Sequence, residues 1–384
     1  MKKILAAALS AVLCLILLSG CGSGKYSVYT NLPEGSFSLT DGRFTLGAIT
    51  GNPPDIPEGK KSDITLKTSG TSFYDIMTSD AEIAVTYGEG PQSAERYAEF
   101  VSKVTEVLTA VNNSLSVSIE GSSVNAFNSA PAGAVVEVDE IAFEVLGIAK
   151  RAYEFTGGYY NPAVYYSAEL YGFITPNGVF KQPEALPDKS SVEAFRELSS
   201  HFGEIELSEN EGKYYAEKPS AVAEIGGVQY PLKLDLGGVG KGYATDLISA
   251  LMDEYGFSYG YFDFGSSSMV CKSHHKNGSY NFELRNPRAD YFGQTFFSTK
   301  ISNVCLASSS DDVRYYMKDG VRYCHIIDPF TGSPVQSGII SATVIGGSAA
   351  EDDAYSTAIM AMGRERAIEF LNKLDRAAVF VCGE

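Results

Sequence analysis

Ten residues, Asp235-Leu-Gly-Gly-Val-Gly-Lys241-Gly-Tyr-Ala244, constrain this chain more than any other segment. Tyr230 to Asp235 reads as a strand and Tyr243 to about Tyr255 as a helix, so the glycines are compressed between two regular elements. A strand ending on a carboxylate, glycines that let backbone approach a bound group, and a lysine at the mouth of a helix together describe a cradle for a nucleotide diphosphate. The spacing fits neither G-x-G-x-x-G nor the phosphate loop that ends in Gly-Lys-Ser/Thr. A left-handed glycine turn beside a surface lysine is the competing reading of the same letters.

Three further segments carry chemistry-bearing side chains. In His325-Ile-Ile-Asp328-Pro329-Phe-Thr331-Gly332-Ser-Pro334, a histidine and an aspartate flank a short apolar strand that stops at a Pro/Gly turn. The chain has four histidines, yet a lone one is more often structural than catalytic. Glu351-Asp352-Asp353-Ala-Tyr-Ser356-Thr357 opens a helix; carboxylates there are ordinarily caps, but Asp353 and Thr357, four apart, stack two hard oxygen ligands on one face, as Mg²⁺ prefers. Gly157-Gly158-Tyr159-Tyr160-Asn161-Pro162 follows a helix, where Gly-Gly is a common C-cap and an aromatic pair beside Asn is able to sandwich a flat heterocycle.

The N-terminus has the layout of a secretory signal over residues 1–20: Lys2-Lys3, an apolar run from Ile4 to Leu18, then Ser19-Gly20-Cys21. The run is short for a membrane span, and the small pair before a cysteine resembles a bacterial lipobox, which makes Cys21 the lipid-modified first residue of the mature chain. This places the protein on the extracytoplasmic side of a bacterial membrane, held by its lipid anchor. Residues 21–67, rich in Gly, Pro, Ser and Asp, read as a tether and irregular extension, and 68–384 as the functional domain. A net charge of −17 without a concentrated basic patch excludes nucleic acid as a partner. Cys271, Cys305, Cys324 and Cys382 show no C-x-x-C pairing; an extracytoplasmic setting permits disulfides in any of three pairings, and buried free thiols are the default expectation.

Apolar spacing predicts amphipathic helices over Ser93 to about Leu108 and Val138 to Tyr153, and helices near Ser191–Ser199, Asp353–Met362 and Arg364–Leu374. Strands are expected at Tyr259–Phe264, Tyr280–Leu284, Thr295–Ile301, His325–Ile327 and Ile339–Ile345. The mixed order favours an α+β fold of mixed sheets with packed helices over a regular doubly wound sheet.

Taken in order, the four segments resemble the ApbE family, the FAD:protein FMN transferases. That family has Ser/Thr-Gly-Gly-x-Phe-Asp-Pro, Asp-Leu-Gly-x-x-x-Lys-Gly-Tyr-Ala, His-Ile-Ile-Asp-Pro-x-Thr-Gly-x-Pro and a late Asp-Ala-x-x-Thr helix, against Thr156–Pro162, Asp235–Ala244, His325–Pro334 and Asp353–Thr357 here. Ser123-Val-Asn-Ala-Phe127-Asn128 is similar to its Ser-x-Leu-x-x-Phe-Asn, and the resemblance runs from about Met77 to the C-terminus. It implies an ApbE-like fold, FAD as substrate contacted by Met77, Tyr159, Tyr160, Asn161, Asp235, Lys241 and Ile327, and Mg²⁺ bound by Asp353, Thr357 and the Gly238 carbonyl. The implied reaction moves FMN from FAD to a serine or threonine of an extracytoplasmic flavoprotein subunit of a membrane redox complex, releasing AMP. His325 is the candidate base, titrating in the ordinary imidazole range, with Asp353 its rival. An FAD pyrophosphatase giving FMN and AMP, or a non-catalytic flavin-binding lipoprotein, would use the same letters. Departures from the family pattern are Asn161 where Asp is common, Gly265-Ser-Ser-Ser268 for Gly-Gly-Asn/Asp, and Ala307-Ser-Ser-Ser-Asp311 for Thr-Ser-Gly-Asp.

Overall fold

The computed structural model describes residues 16–19, 25–31, 37–40, 43–46, 49–50, 66–90, 92–175, 180–288 and 295–383. Its α-helices are α1 (Ser93–Leu115), α2 (Ser123–Ser129), α3 (Glu140–Phe155), α4 (Tyr165–Leu170), α5 (Lys189–Ser199), α6 (Gly237–Glu254), α7 (Ala349–Met362) and α8 (Arg364–Leu371).

A nine-stranded sheet forms the middle layer. Its spatial order is Ile16–Ser19, Lys25–Thr30, Ala377–Gly383, Ile339–Ile345, Val304–Ser310, Ser268–Cys271, Gly260–Phe264, Ser79–Gly88, Leu66–Ile76, and every neighbouring pair is antiparallel. Helices α1, α3, α6 and α7 pack together on one face. A smaller mixed sheet built on Tyr280–Arg285 and Thr295–Ser302 covers part of the other through Leu284, Phe296, Phe297 and Ile301. This is the α+β arrangement of mixed sheets and packed helices. Ile339–Ile345 lies between the two layers with all seven residues buried, its apolar residues broken only by the small polar Ser341 and Thr343.

The expected tether contains structure. Lys25–Thr30 pairs with Ala377–Gly383, Val28 and Tyr29 are each 2% exposed, and Tyr29 stacks on Phe380 with ring centroids 4.7 Å apart. Burial of two apolar side chains and a full ladder of backbone bonds outweighs the breaking tendency of the surrounding glycines. Cys21 lies outside the described residues.

The glycine segment also differs from its sequence reading. The strand before it ends at Pro231, and Leu232 to Asp235 runs on without a strand partner. Asn128 replaces that partner: its side-chain amide accepts from the Leu234 N–H at 2.7 Å and donates to the Leu234 carbonyl at 2.9 Å. Leu232, Leu234 and Leu236 all point into the core, and this alternation produces the strand-like pattern. Helix α6 then begins at Gly237, so Gly237, Gly238, Gly240 and Gly242 are its first turns and none has a positive φ. They are glycines because neighbours come close. A Cβ at Gly242 would stand 2.2 Å from the Ala349 carbonyl oxygen, and one at Gly240 would stand 2.7 Å from Met77 Cε.

Candidate functional site

A cleft of about 750 Å³ opens beside the N-terminus of α6, within the range of small-ligand sites. Its walls come from far-separated parts of the chain: Thr78 and Ser79, Tyr159 to Pro162, Asp235 to Lys241, Ser308 to Ser310, Arg314, His325 to Ile327, and Asp353 with Thr357. Two glycines after α3, Gly157 at φ +64° and Gly158 at φ +87°, end that helix and turn the chain so that Tyr159 and Tyr160 face the cleft. Tyr160 is 3% exposed and its hydroxyl has no partner among the described residues, while burial raises its pKa well above the usual phenol value. Tyr159 lies at the mouth with Phe330 at 4.6 Å, and its hydroxyl accepts from Arg366.

Helix α7 supplies the carboxylate. Ser348 caps it, accepting from the Glu351 N–H, so the caps are not the acidic residues. Asp353 is 2% exposed, accepts from the Gly242 N–H at 3.2 Å and makes no ion pair among the described residues. Burial pushes its carboxyl pKa up, partly countered by Lys241 and that N–H. Thr357 stands one turn on, its hydroxyl 3.3 Å from Ser309 Oγ, and a Cβ at Gly238 would lie 3.5 Å from Thr357 Oγ1. No three acidic, histidine or cysteine residues cluster as a metal site among the described residues, in this cleft or outside it. A buried carboxylate short of cations, a hydroxyl and a nearby helix-terminal backbone make a sparse hard-oxygen set. It fits Mg²⁺, which keeps waters and takes its remaining ligands from phosphate.

Cations and the histidine complete the cleft. Lys241 Nζ is 3.2 Å from the Gly237 carbonyl, over the first turn of α6, where the helix dipole is positive. The His325 N–H donates to the Arg314 carbonyl at 3.0 Å, and His325 Nδ1 is buried with no partner among the described residues. Burial, then the charges of Arg314 and Lys241, lower the His325 pKa to about 3. His325 is therefore a neutral imidazole at physiological pH and does not titrate in the ordinary range that sequence reading assigned it.

Tyr159, Tyr160, Asn161, Asp235, Gly238, Lys241, His325, Ile327, Asp353 and Thr357 thus line one cleft. Two sequence-expected contacts take other roles. The Asn161 side chain caps the next turn, accepting from the Ala163 N–H at 2.9 Å and donating to the Ser199 carbonyl at 2.9 Å, so its amide orders the chain. Asn suits this position because Asp has no proton for Ser199. Met77 packs toward Gly240 beneath the cleft, and its neighbours Thr78 and Ser79 line the wall instead. Met77 and Thr78, at φ 48° and 61°, form the two-residue turn between Leu66–Ile76 and Ser79–Gly88. Ser309 and Arg314 escaped sequence reading: the first sat in a segment noted only for departing from a pattern, the second in none.

The comparisons with known proteins agree with this geometry. The ApbE family model matches residues 77–381. The FAD:protein FMN transferase of Escherichia coli K12 is 27% identical over 296 residues, covering 76% of this chain and 79% of that protein. The protein of the same name from Treponema pallidum is 25% identical over 288 residues, covering 72% and 75%. In fold, the ApbE protein of Thermotoga maritima superposes with a TM-score of 0.67 at 23% identity, over 82% of this chain and 94% of that one. The flavin transferase ApbE of Vibrio cholerae gives 0.65 at 21%, over 83% and 94%. With the matched region running from the Met77 turn to the last strand and enclosing every wall of the cleft, this chain belongs to the ApbE family.

Proposed function

We propose that the protein is an FAD:protein FMN transferase, joining the FMN half of FAD through its phosphate to a serine or threonine hydroxyl of another protein and releasing AMP. The observation that carries this reading is the meeting, in one cleft, of the α6 N-terminus with Lys241, the buried Asp353 with Thr357, and the neutral His325. The relatives from Escherichia coli and Treponema pallidum bear the name of that activity.

The positive end of α6 and the Lys241 ammonium receive the FAD diphosphate, and Tyr159 with Phe330 offers aromatic faces at the mouth. Asp353, Thr357 and the Gly238 carbonyl would hold Mg²⁺, which would supply positive charge to a bound diphosphate. His325, neutral and facing the cleft, accepts the proton of the acceptor hydroxyl as its oxygen bonds to the FMN-side phosphorus, a weaker base than a free imidazole but one that stays unprotonated at every physiological pH. The bond between the FMN-side phosphorus and the bridging oxygen breaks, and its electron pair leaves on that oxygen with AMP. Asp353 is the weaker candidate base because metal binding would occupy its lone pairs.

The same proposal anchors the enzyme by lipid on Cys21 at the extracytoplasmic face of a bacterial membrane, acting on a flavoprotein subunit of a redox complex. The test incubates the protein with FAD, MgCl₂ and the soluble domain of such a subunit. One FMN gained per acceptor in intact mass, with an equal amount of AMP, supports the reading. FMN and AMP released at the same rate with or without acceptor would make the protein an FAD pyrophosphatase.

A further inference from the structure

The transfer needs a second substrate, a polypeptide, and the residues assigned above hold FAD. Beside the cleft mouth stands a two-stranded hairpin, Tyr315–Lys318 with Val321–Cys324, closed by Asp319 and Gly320 at φ 52° and 77°. Its register pairs Tyr316 with Tyr323 and Met317 with Arg322, which gives the hairpin two distinct faces. The inner face is fixed: Tyr316 stacks on Tyr323 at 5.2 Å and on Phe173 at 5.8 Å, and Lys318 Nζ donates to the Glu184 carbonyl at 2.6 Å. The outer face is apolar and open. Tyr315 is 38% and Met317 51% exposed, in step with Val313, which is 69% exposed and lines the cleft.

On this face Tyr315 and Met317 are apolar, and Arg322, the cross-strand partner of Met317, is its charged member. Tyr315 and Met317 on the strand and Val313 in the bend just before it form an apolar stripe that runs from the hairpin to the cleft wall. Its charge also differs from that of the molecule. The chain carries −17, but Asp311 and Asp312 are already paired with Arg288 and Arg285, so beside the stripe Arg322 and Arg314 stand against Asp319 in the turn. The Arg322 guanidinium lies 3.7 Å over the Tyr315 ring, and Arg314 makes no ion pair among the described residues. The face is therefore apolar with a cationic edge, on a protein of net negative charge.

We propose that this face docks the acceptor polypeptide. An extended segment with apolar residues at alternate positions and a net negative charge lies along Met317, Tyr315 and Val313. Its serine or threonine enters the cleft at the Val313 end, where the His325 N–H is bonded to the Arg314 carbonyl. The anchored inner face keeps the hairpin in place before binding, so little ordering cost falls on the enzyme side. The proposal rests on the transferase reading.

The test uses three short synthetic peptides with one threonine each: alternating apolar residues and Asp, the same with Ser for the apolar residues, and the same with Lys for Asp. Wild type should add FMN to the first with a KM about tenfold below the other two. Met317→Ser and Tyr315→Ser should each raise that KM about tenfold, the usual cost of truncating a contact residue in an interface centre, with kcat, FAD affinity and melting temperature unchanged. Variants that keep the wild-type KM, or three peptides labelled alike, overturn the docking face and leave the transferase intact. Loss of self-association in Met317→Ser would make the stripe a dimer face and overturn it as well. Failure of the transferase reading shows separately, as wild type that binds FAD and labels neither peptide nor protein, and it takes the docking face with it.

Discussion

Gly242→Ala tests whether the closeness of α6 and α7 is what assembles the site. Gly242 has ordinary helical backbone, so alanine brings no conformational strain and adds about 1 kcal/mol of helix propensity. Packing opposes it. The new Cβ would stand 2.2 Å from the Ala349 carbonyl oxygen and 2.6 Å from Ala350 Cα, backbone atoms that no rotamer change moves away. Relief requires α7 to retreat by about 1 Å, at the upper end of the roughly 1–3 kcal/mol that overpacking costs. The net loss is about 2 kcal/mol, or about 3 °C in melting temperature for a domain of this size. The same shift carries Asp353 away from the Gly242 N–H, now 3.2 Å from its carboxylate, and a misplacement of about 1 Å costs on the order of 10² in turnover. Gly147→Ala in α3 is the opposite control: its Cβ would meet only Arg151 Nη1 at 3.6 Å, so it should stabilise by about 0.5–1 kcal/mol with full activity. Thermal melts, FAD titration by flavin fluorescence, and transfer rates on both variants decide the matter. Gly242→Ala with wild-type melting and full transfer would refute the reasoning.

Asp353→Asn should lower transfer by about 10²–10³, the scale of losing one charge-stabilising group, while the melting temperature holds or rises because burial already disfavours the charge. Wild-type transfer insensitive to EDTA would remove Mg²⁺ from the reading. His325→Ala should cost about 10²–10⁴ in kcat with FAD affinity kept, and the acid limb of wild-type kcat/KM should fall below the ordinary imidazole value of about 6.5; a limb at 6.5 contradicts the depressed pKa. The same depression has a stability consequence, since the unfolded chain binds the proton first: His325 favours folding fully above about pH 6.5 and loses that contribution as pH falls toward about 3. Replacing it with Gln should flatten the pH–stability curve in that window, which melts between pH 4 and 7 would read. Cys21→Ser should block processing or release the protein from membranes; normal cleavage with unchanged membrane retention would sink the lipoprotein assignment.

Local signals were legible where one residue's physics dictates the backbone. Gly157-Gly158 reads as a helix end and is one, because αL backbone is cheap only for glycine. Ile339–Ile345 and Ser93 onward were visible through apolar periodicity, although α1 runs to Leu115, seven residues past its predicted end, since the polar residues Asn112, Asn113 and Ser114 carry no breaker. The four cysteines are free, Cys271 and Cys324 buried as expected and Cys305 and Cys382 only partly so. The strand expected at His325–Ile327 shrinks to Ile327–Asp328, because His325 bonds to the Arg314 carbonyl across the hairpin base instead of a sheet neighbour.

The chain's letters alone determined the segments that meet in the cleft, since Asp235–Ala244, His325–Pro334, Asp353–Thr357 and Thr156–Pro162 each hold residue types whose chemistry is hard to explain otherwise. Tertiary structure alone decided what those letters do. The Asp235 glycines look the same whether they free a left-handed turn or admit a neighbouring helix, and only the approach of Ala349 shows the second. Asn161 was equally able to face a ligand or cap a turn until Ser199, 38 positions away, supplied a carbonyl for its amide. His325 kept its ordinary basicity on paper because burial and the field of Lys241, 84 positions earlier, exist only once the chain is folded. Residue type sets which bonds and charges are available, whereas desolvation and contact depend on distance in space, which sequence separation does not encode.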